Sequence, residues 1–419
     1  MERVGELRIA KPRVETVGDR TRLVASILSP EYGEVRDLWL EVDGQYGEYL
    51  CHERSDAFLV GMLRYAMRFG YDISCEAPVS EELLYNLRTY LIPALSKASD
   101  AIYAVKIDAT IVMEPLPNKG AVGAGMSCGI DSLHVLCHHT SSEYPSMNLT
   151  HLVLNNVGAY REGTDQFKWQ LEHARQFADE YGFKLIGIDS NYIDVFPANH
   201  KGLRWTHTYA NAFCALALQK LWGTFYYGSS GYDFTGFTVE KVEKGDSALY
   251  DLLSLNVFST RWLRFYSEGA AKTRFEKTRD VANYPPARKY LHVCTHDDGP
   301  CCNTCEKCCR TIMTLDALGR LDDFRDIFDV DYYRRNRKWY LNWMYYNWYF
   351  FGKESLLEEV YAHFKGEVTL GMKLKMRLIA LRKKIYPYVP QWLRDFRGLL
   401  RGKERPKARR ELFGALPKR

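Results

Sequence analysis

AVGAGMSCGIDSLHVLCHH, residues 121–139, is the stretch whose reading decides the fold. It passes from small apolar residues through a polar loop into an apolar, helix-like run. Six residues, Ser127 to Ser132, hold two hydroxyls, a glycine and a carboxylate. A strand that gives way to a loop and then a helix is the building unit of a doubly wound sheet, and ligands bind at such turns. Free backbone N–H groups and the helix dipole favour an anion there. Gly129 lets the backbone come close, and Ser127 and Ser132 can donate to phosphate oxygens. Asp131 alone would repel phosphate. A Mg²⁺ shared between carboxylate and phosphate resolves the conflict. The loop therefore reads as a Mg-nucleotide site of Ser127, Cys128, Gly129, Asp131 and Ser132. No G-x-x-x-x-G-K-[ST] run exists, which excludes a Walker-type loop. A small buried thiol is the preferred reading of Cys128, a nucleophile at the helix start the sharper one.

Outward from this stretch the pattern strand, loop, helix repeats. HLVLNNVGA (151–159), FKLIGIDS (183–190) and TFYYGSS (224–230) read as strands. TDQFKWQLEHARQFADEYG (164–182) and HTYANAFCALALQKLWG (207–223) read as helices between them. This alternation predicts an α/β fold with a doubly wound parallel sheet. Gly228, at a strand end, is a candidate wall of the nucleotide pocket. Asn155 and Asn156, at the end of LVLNN, are candidate contacts for adenine or ribose, with turn-forming asparagines as the equal alternative.

Before the linker PLPNKG the chain reads as a small N-terminal α/β module, residues 1–118. It contains strands at RLVASILS and DLWLEVDG and a return at GQYGEYLC. A helix DAFLVGMLRYAMRFG ends at Gly70, a longer one covers EELLYNLRTYLIPALSKA, and AIYAVKIDATIVME is strand-rich. The phosphate-loop domain is expected over 119–320, and a helical, basic C-terminal region over 321–419. Residues 331–351 carry 11 aromatics among 21 residues. Burial against a domain is their expected role, and an aromatic, basic surface for RNA the alternative. Residues 372–419 carry 16 Lys/Arg against 3 Asp/Glu, which leaves −8 on the rest of a chain whose net charge is +5. A tail of that charge points to an anionic partner, RNA or a membrane surface. No apolar signal core opens the sequence and no 18-residue apolar run occurs, so a cytoplasmic protein, peripheral at most to a membrane, is expected.

Eleven cysteines are unevenly spread, five of them between Cys301 and Cys309. Cys302, Cys305 and Cys308 form C-x2-C-x2-C, and with Cys294 they supply four thiolates. That set suits a closed, structural Zn²⁺ site, with an iron–sulfur cluster as runner-up and Cys301 and Cys309 as substitute ligands.

S-x-G-x-D-S after a strand resembles the signature of the PP-loop ATP pyrophosphatase superfamily, whose adenine nucleotide alpha-hydrolase-like domains have the HUP-type sheet. The usual form is S-G-G-x-D-S, and Cys128 stands here in place of the first glycine. The four-cysteine pattern and the run NTCEKCCRTIMTLDALG make the chain similar to relatives of 7-cyano-7-deazaguanine synthase across residues 120–320. The resemblance implies ATP, Mg²⁺ and Zn²⁺ as cofactors and AMP-forming chemistry. It also implies a basic residue that steadies the leaving pyrophosphate, for which Arg274 and Lys277 are the candidates beside Asp131. The expected activity is a ligase or amidating enzyme. It adenylates an oxygen of a small-molecule acceptor, and a nitrogen donor then displaces AMP. RNA modification and a non-catalytic, membrane-associated scaffold are the alternatives, and a homodimer is one candidate assembly that the sequence leaves open.

Overall fold

The computed structural model describes residues 5–160, 165–195, 203–229, 232–243, 245–294, 299–351 and 356–385. The chain divides into two compact units, Met1–Thr273 and Arg274–Arg419. Among the described residues, thirteen strands belong to the first unit. They are β1 Gly5–Ile9, β2 Arg13–Val17, β3 Arg20–Leu28, β4 Val35–Asp43, β5 Tyr71–Cys75, β6 Val79–Ser80, β7 Ile107–Asp108, β8 Ile111–Val112, β9 Ala121–Gly125, β10 His151–Asn156, β11 Lys184–Ser190, β12 Trp222–Gly228 and β13 Arg264–Glu268.

Eleven of them make one sheet in the order β13-β12-β9-β10-β11-β4-β3-β1-β5-β7, with β2 on β3, while β6 and β8 pair separately. From β13 to β11 every pairing is parallel. The chain leaves β9, runs to β10 and β11 on one side, then returns to β12 and β13 on the other. This is a mostly parallel α/β sheet compatible with double winding. Its middle strands read as apolar runs because both faces are covered. Four of the six residues of β10 are buried in sequence, His151 to Leu154.

One position of β9 has no room for a side chain. A side chain at Gly123 would meet Trp222 at 2.9 Å and Phe225 at 3.1 Å. The missing Cβ is the room that Trp222, itself fully buried, occupies. The sheet continues beyond β11 into the N-terminal strands through an antiparallel pairing, Asp189 with Glu41 and Ser190 with Leu40. Asn191 Oδ1 accepts from the Trp39 N–H at 2.8 Å, and the Arg20 guanidinium donates to the Gly187 carbonyl at 3.1 Å. The expected N-terminal module and the start of the phosphate-loop segment therefore share one sheet. The boundary between the compact units falls at 273/274, inside the stretch 119–320.

Three local expectations are corrected. GQYGEYLC is no strand: Gly44–Tyr49 is a 3-10 helix. AIYAVKIDATIVME supplies only the two-residue strands β7 and β8. EELLYNLRTYLIPALSKA stays helical but passes through a π turn at Leu87–Leu91, just before Pro93. Proline cannot donate to the i−4 carbonyl, and a wider turn absorbs the break. The helix Asp56–Phe69 stops where expected, with Gly70 in the left-handed conformation at φ 76 and its N–H on the Ala66 carbonyl.

In the second unit the aromatic run is structural. Tyr332, Tyr333, Trp339, Tyr340, Trp343, Tyr345 and Tyr346 are buried. Among the described residues of 331–351 only Tyr349 and Phe350 are large aromatics exposed by more than a third. No described helix is long and apolar enough to cross a membrane. Most of the basic tail, with Pro387 and Pro390, lies outside the described residues, as do Ser230 and the Asp297–Asp298 pair.

Burial holds His151 neutral, its pKa pushed down to about 4, with the Lys184 charge adding to the effect. An unfolded histidine binds its proton below about pH 6.5, so the unfolded state takes up more protons between pH 6.5 and 4. Stability should therefore fall as pH drops through that window, by about 1–3 kcal/mol from this residue. Urea midpoints measured from pH 7 to pH 4 should show the decline, and His151→Leu should flatten it.

Candidate functional site: a phosphate-type loop and a four-cysteine cluster

The loop after β9 sits at the carboxyl edge of the parallel strands, where the strand order reverses. That is the position at which open α/β sheets bind ligands. The Met126 N–H still pairs with the Val153 carbonyl at 2.8 Å. Ser127 is exposed, Cys128 fully buried, and Gly129 caps the helix Ile130–His139. Cys128 has φ +56, a left-handed conformation that glycine adopts freely and a residue with a Cβ adopts at a cost. It occupies the position where the S-G-G-x-D-S form has its first glycine. Burial pushes the Cys128 thiol upward, so it is no thiolate and serves as packing.

The loop hydroxyls are held weakly. Ser127 Oγ and Ser132 Oγ lie 3.4 Å apart, and the Gly129 N–H reaches Ser127 Oγ at 3.4 Å. Ser132 Oγ donates to the Gly129 carbonyl at 3.1 Å, and Gln170 fixes the Ser127 carbonyl at 3.0 Å. Contacts of 3.4 Å are long and readily exchanged for stronger acceptors. Asp131 lies in the first turn of the helix and is half-buried.

Two further expected residues stand at the ends of the strands on either side of β9. Gly228, the last residue of β12, is pressed against Asp131: a Cβ there would stand 3.1 Å from the Asp131 carbonyl oxygen and 3.3 Å from its Cβ. Asn155 closes β10, and its amide donates to Asn211 Oδ1 at 2.9 Å. The side-chain oxygen Oδ1 of Asn155 is buried with no hydrogen-bond partner among the described residues. A buried acceptor left so is costly until a donor meets it. Asn156 takes another role and donates to Asp189 at 2.7 Å.

The sequence reading passed over a neighbouring polar chain. With His207 Nε2–H donating to Asp246, Nδ1 accepts from the Tyr227 hydroxyl at 2.6 Å. Burial disfavours the Asp246 charge, but the His207 hydrogen bond and charge outweigh it and hold the carboxyl below its usual range. Burial, then the charge of Asp251, keeps Tyr227 firmly protonated, with Asp246 and Asp131 adding to this. Tyr227 immediately precedes Gly228, so the chain abuts the loop. Its only sequence signal was a histidine without a spaced partner. Of the histidines that follow the loop, His134 is buried and His139 stacks on Tyr226 at 4.0 Å.

Arg274 and Lys277 belong to the second unit, in the helix Arg274–Asn283. Lys277 is fully buried and Arg274 half-buried, so neither stands on an exposed charged face.

In the same unit the sulfurs of Cys294, Cys302, Cys305 and Cys308 all lie within 4.8 Å of one another, and all four residues are buried. Tetrahedral Zn–S bonds of about 2.3 Å place sulfurs about 3.8 Å apart, so the cage is near the required size. Cys302 Sγ accepts from the Cys305 N–H at 3.3 Å, and Cys305 Sγ accepts from the Cys308 N–H at 3.4 Å. Cys305 also caps the helix Glu306–Ala317, whose dipole favours sulfur charge. Hydrogen bonds from the other three sulfurs pull the Cys302 thiol down, while Cys305 and Cys308 are held up. Four thiolates this close need a cation to share them, and the cluster can hold a metal ion such as zinc. Cys301 and Cys309 fall outside the four: the Cys309 thiol turns to the Asn303 carbonyl at 3.7 Å. Asn303, at φ +62, anchors the turn, its side chain donating to the Cys301 carbonyl and accepting from the Asp329 N–H. Its own carbonyl accepts from the buried Tyr340 hydroxyl at 2.6 Å. The aromatic run thus braces the cysteine turn.

No protein-family profile, no curated protein and no solved structure matches the chain, so the class of the site rests on its own residues.

Elemental analysis should find about one zinc per chain, and Cys308→Ser should abolish it and cost upwards of about 4 kcal/mol of stability. At the loop, Cys128→Gly should be tolerated within about 1 kcal/mol, because relief of the left-handed strain offsets the lost thiol. Cys128→Val should cost more than about 2 kcal/mol, since a branched Cβ is least suited to that conformation. Chemical denaturation of the two variants measures both.

Proposed function

We propose that the loop Ser127–Ser132 binds the polyphosphate of Mg-ATP and that the chain is a PP-loop, HUP-type AMP-forming enzyme acting on a small-molecule acceptor. The observation that carries this reading is Cys128 at φ +56 at the head of the Ile130–His139 helix. The backbone there has taken the shape that the glycine of the S-G-G-x-D-S form serves, although the residue is not glycine. The strand order β13-β12-β9-β10-β11 supports it by putting the loop at the reversal point.

The residues divide the work. Backbone N–H groups of the loop and the hydroxyls of Ser127 and Ser132 hold phosphate oxygens in place of their weak mutual contacts. Asp131 is the carboxylate that would hold Mg²⁺, which supplies charge neutralisation when bound. The orphaned Asn155 Oδ1 would accept from the adenine amino group or a ribose hydroxyl. Gly228 keeps the opposite wall tight against Asp131.

In the first step an acceptor oxygen, from a carboxylate, amide or carbonyl, attacks the α-phosphorus and the bond to the β-phosphate oxygen breaks. Pyrophosphate departs and acceptor–AMP remains. A nitrogen nucleophile then attacks the activated carbon, loses its proton, and AMP leaves. Positioning and charge neutralisation carry most of the rate. The four-cysteine cluster, closed to a fifth ligand, holds zinc in a structural role. Burial of the aromatic run removes the broad stacking surface that an RNA substrate would use, which favours the small-molecule acceptor.

Release of AMP and pyrophosphate from Mg-ATP in the presence of a small-metabolite fraction tests the reading. Both products should appear in equal amounts, and Asp131→Ala should lower the rate by at least about a hundredfold. Gly228→Ala, which crowds the Asp131 backbone, should cost about tenfold. ADP and phosphate as products would overturn the assignment, and products formed only with an RNA fraction would move it to RNA modification.

A further inference from the structure

The last described helix, Leu370–Ile385, presents an apolar stripe to solvent. Leu370 is 72% exposed, Leu374 53%, Leu378 65% and Leu381 53%. At 100° per residue these four fall within about 80° of arc. The buried residues of the same helix, Met376 and Ala380, lie on another side, and the helix packs on the aromatic helix Arg337–Phe351. The leucines therefore do not serve that contact. Lys375 and Arg382 flank the stripe on one side, and Lys373 and Arg377 on the other. The Arg377 guanidinium is held there, donating to the Tyr345 hydroxyl at 2.9 Å and lying 5.1 Å from the ring centre of Tyr349. Tyr349 and Phe350, both exposed, stand at the end of the neighbouring helix.

Four leucines on one arc, bordered by cations, cost free energy in water and match a surface that is apolar below and anionic above. We propose that this helix face is a docking surface for an anionic lipid bilayer: the leucines enter the acyl boundary, and the lysines and arginines lie among acidic headgroups. Charge decides against the other occupants. Residues 386–419 hold 10 Lys/Arg against 3 Asp/Glu, so the chain's own tail would bring more positive charge to a cationic rim. A second copy of the helix would do the same. An anionic surface is attracted by both the rim and the tail, at about 1 kcal/mol per basic residue near the surface.

The test is co-flotation of the full chain with phosphatidylcholine vesicles, with and without phosphatidylserine. Wild type should float with the phosphatidylserine vesicles only, and less so as salt is raised. Leu374→Glu/Leu378→Glu should reduce partitioning by about a hundredfold, with melting temperature and zinc content unchanged because both side chains are exposed. Failure of wild type to float would overturn the proposal. So would equal flotation of the double variant, which would reduce the tail to charge alone. A wild-type mass of two chains that halves in the variant, without vesicle binding, would assign the stripe to self-association instead.

Discussion

The close approach of Trp222 to Gly123 is the constraint on which the first unit depends. A side chain on β9 at that point would collide with the indole, so β12 could not lie in register beside β9. That register carries Tyr226 opposite Ala124 and brings the strand's end, Gly228, against the backbone of Asp131. The sheet core and the loop geometry are thus one packing problem. The glycine in the middle of AVGAG is required by its neighbours on the sheet, and the loop inherits its position from that packing.

The same economy appears in the second unit. The turn between Cys302 and Cys305 contains Asn303 in a left-handed conformation, and its backbone carbonyl accepts from Tyr340 deep in the aromatic helix. Sulfur geometry and aromatic packing hold one another. An aromatic-rich run that resembles a nucleic-acid surface in sequence is the scaffold of the cysteine cluster. Its terminal rings and the leucine face of the following helix are what remain for solvent or a partner.

Sequence reasoning was strongest where chemistry is local. Spacing alone brought Cys302, Cys305 and Cys308 together, because two intervening residues return the chain for amide-to-sulfur bonds. Cys294 was named from the sequence as the fourth ligand, and the fold brings it to the other three; the exclusion of Cys301 and Cys309 needed the fold. The loop was legible because strand, glycine and helix cap are consecutive. Errors lay where tertiary contacts override a weak pattern. GQYGEYLC alternates like a strand yet turns as a 3-10 helix. β13 was hidden inside a charged run, since an edge strand shows water one side.

What the sequence determined by itself is therefore the order of strand and helix around residues 121–139, the cysteine spacing and the polarity of the tail. These follow from backbone geometry, ligand spacing and charge counts over short distances. Only the tertiary structure decided that the N-terminal strands extend the same sheet, that Gly228 is pressed against the loop, and that His207, Tyr227 and Asp246 form a chain beside it. It also decided which face of the basic helix holds its leucines outward. Those facts depend on pairings across tens to hundreds of residues, where one missing Cβ or one buried indole selects among arrangements that local propensity leaves equal.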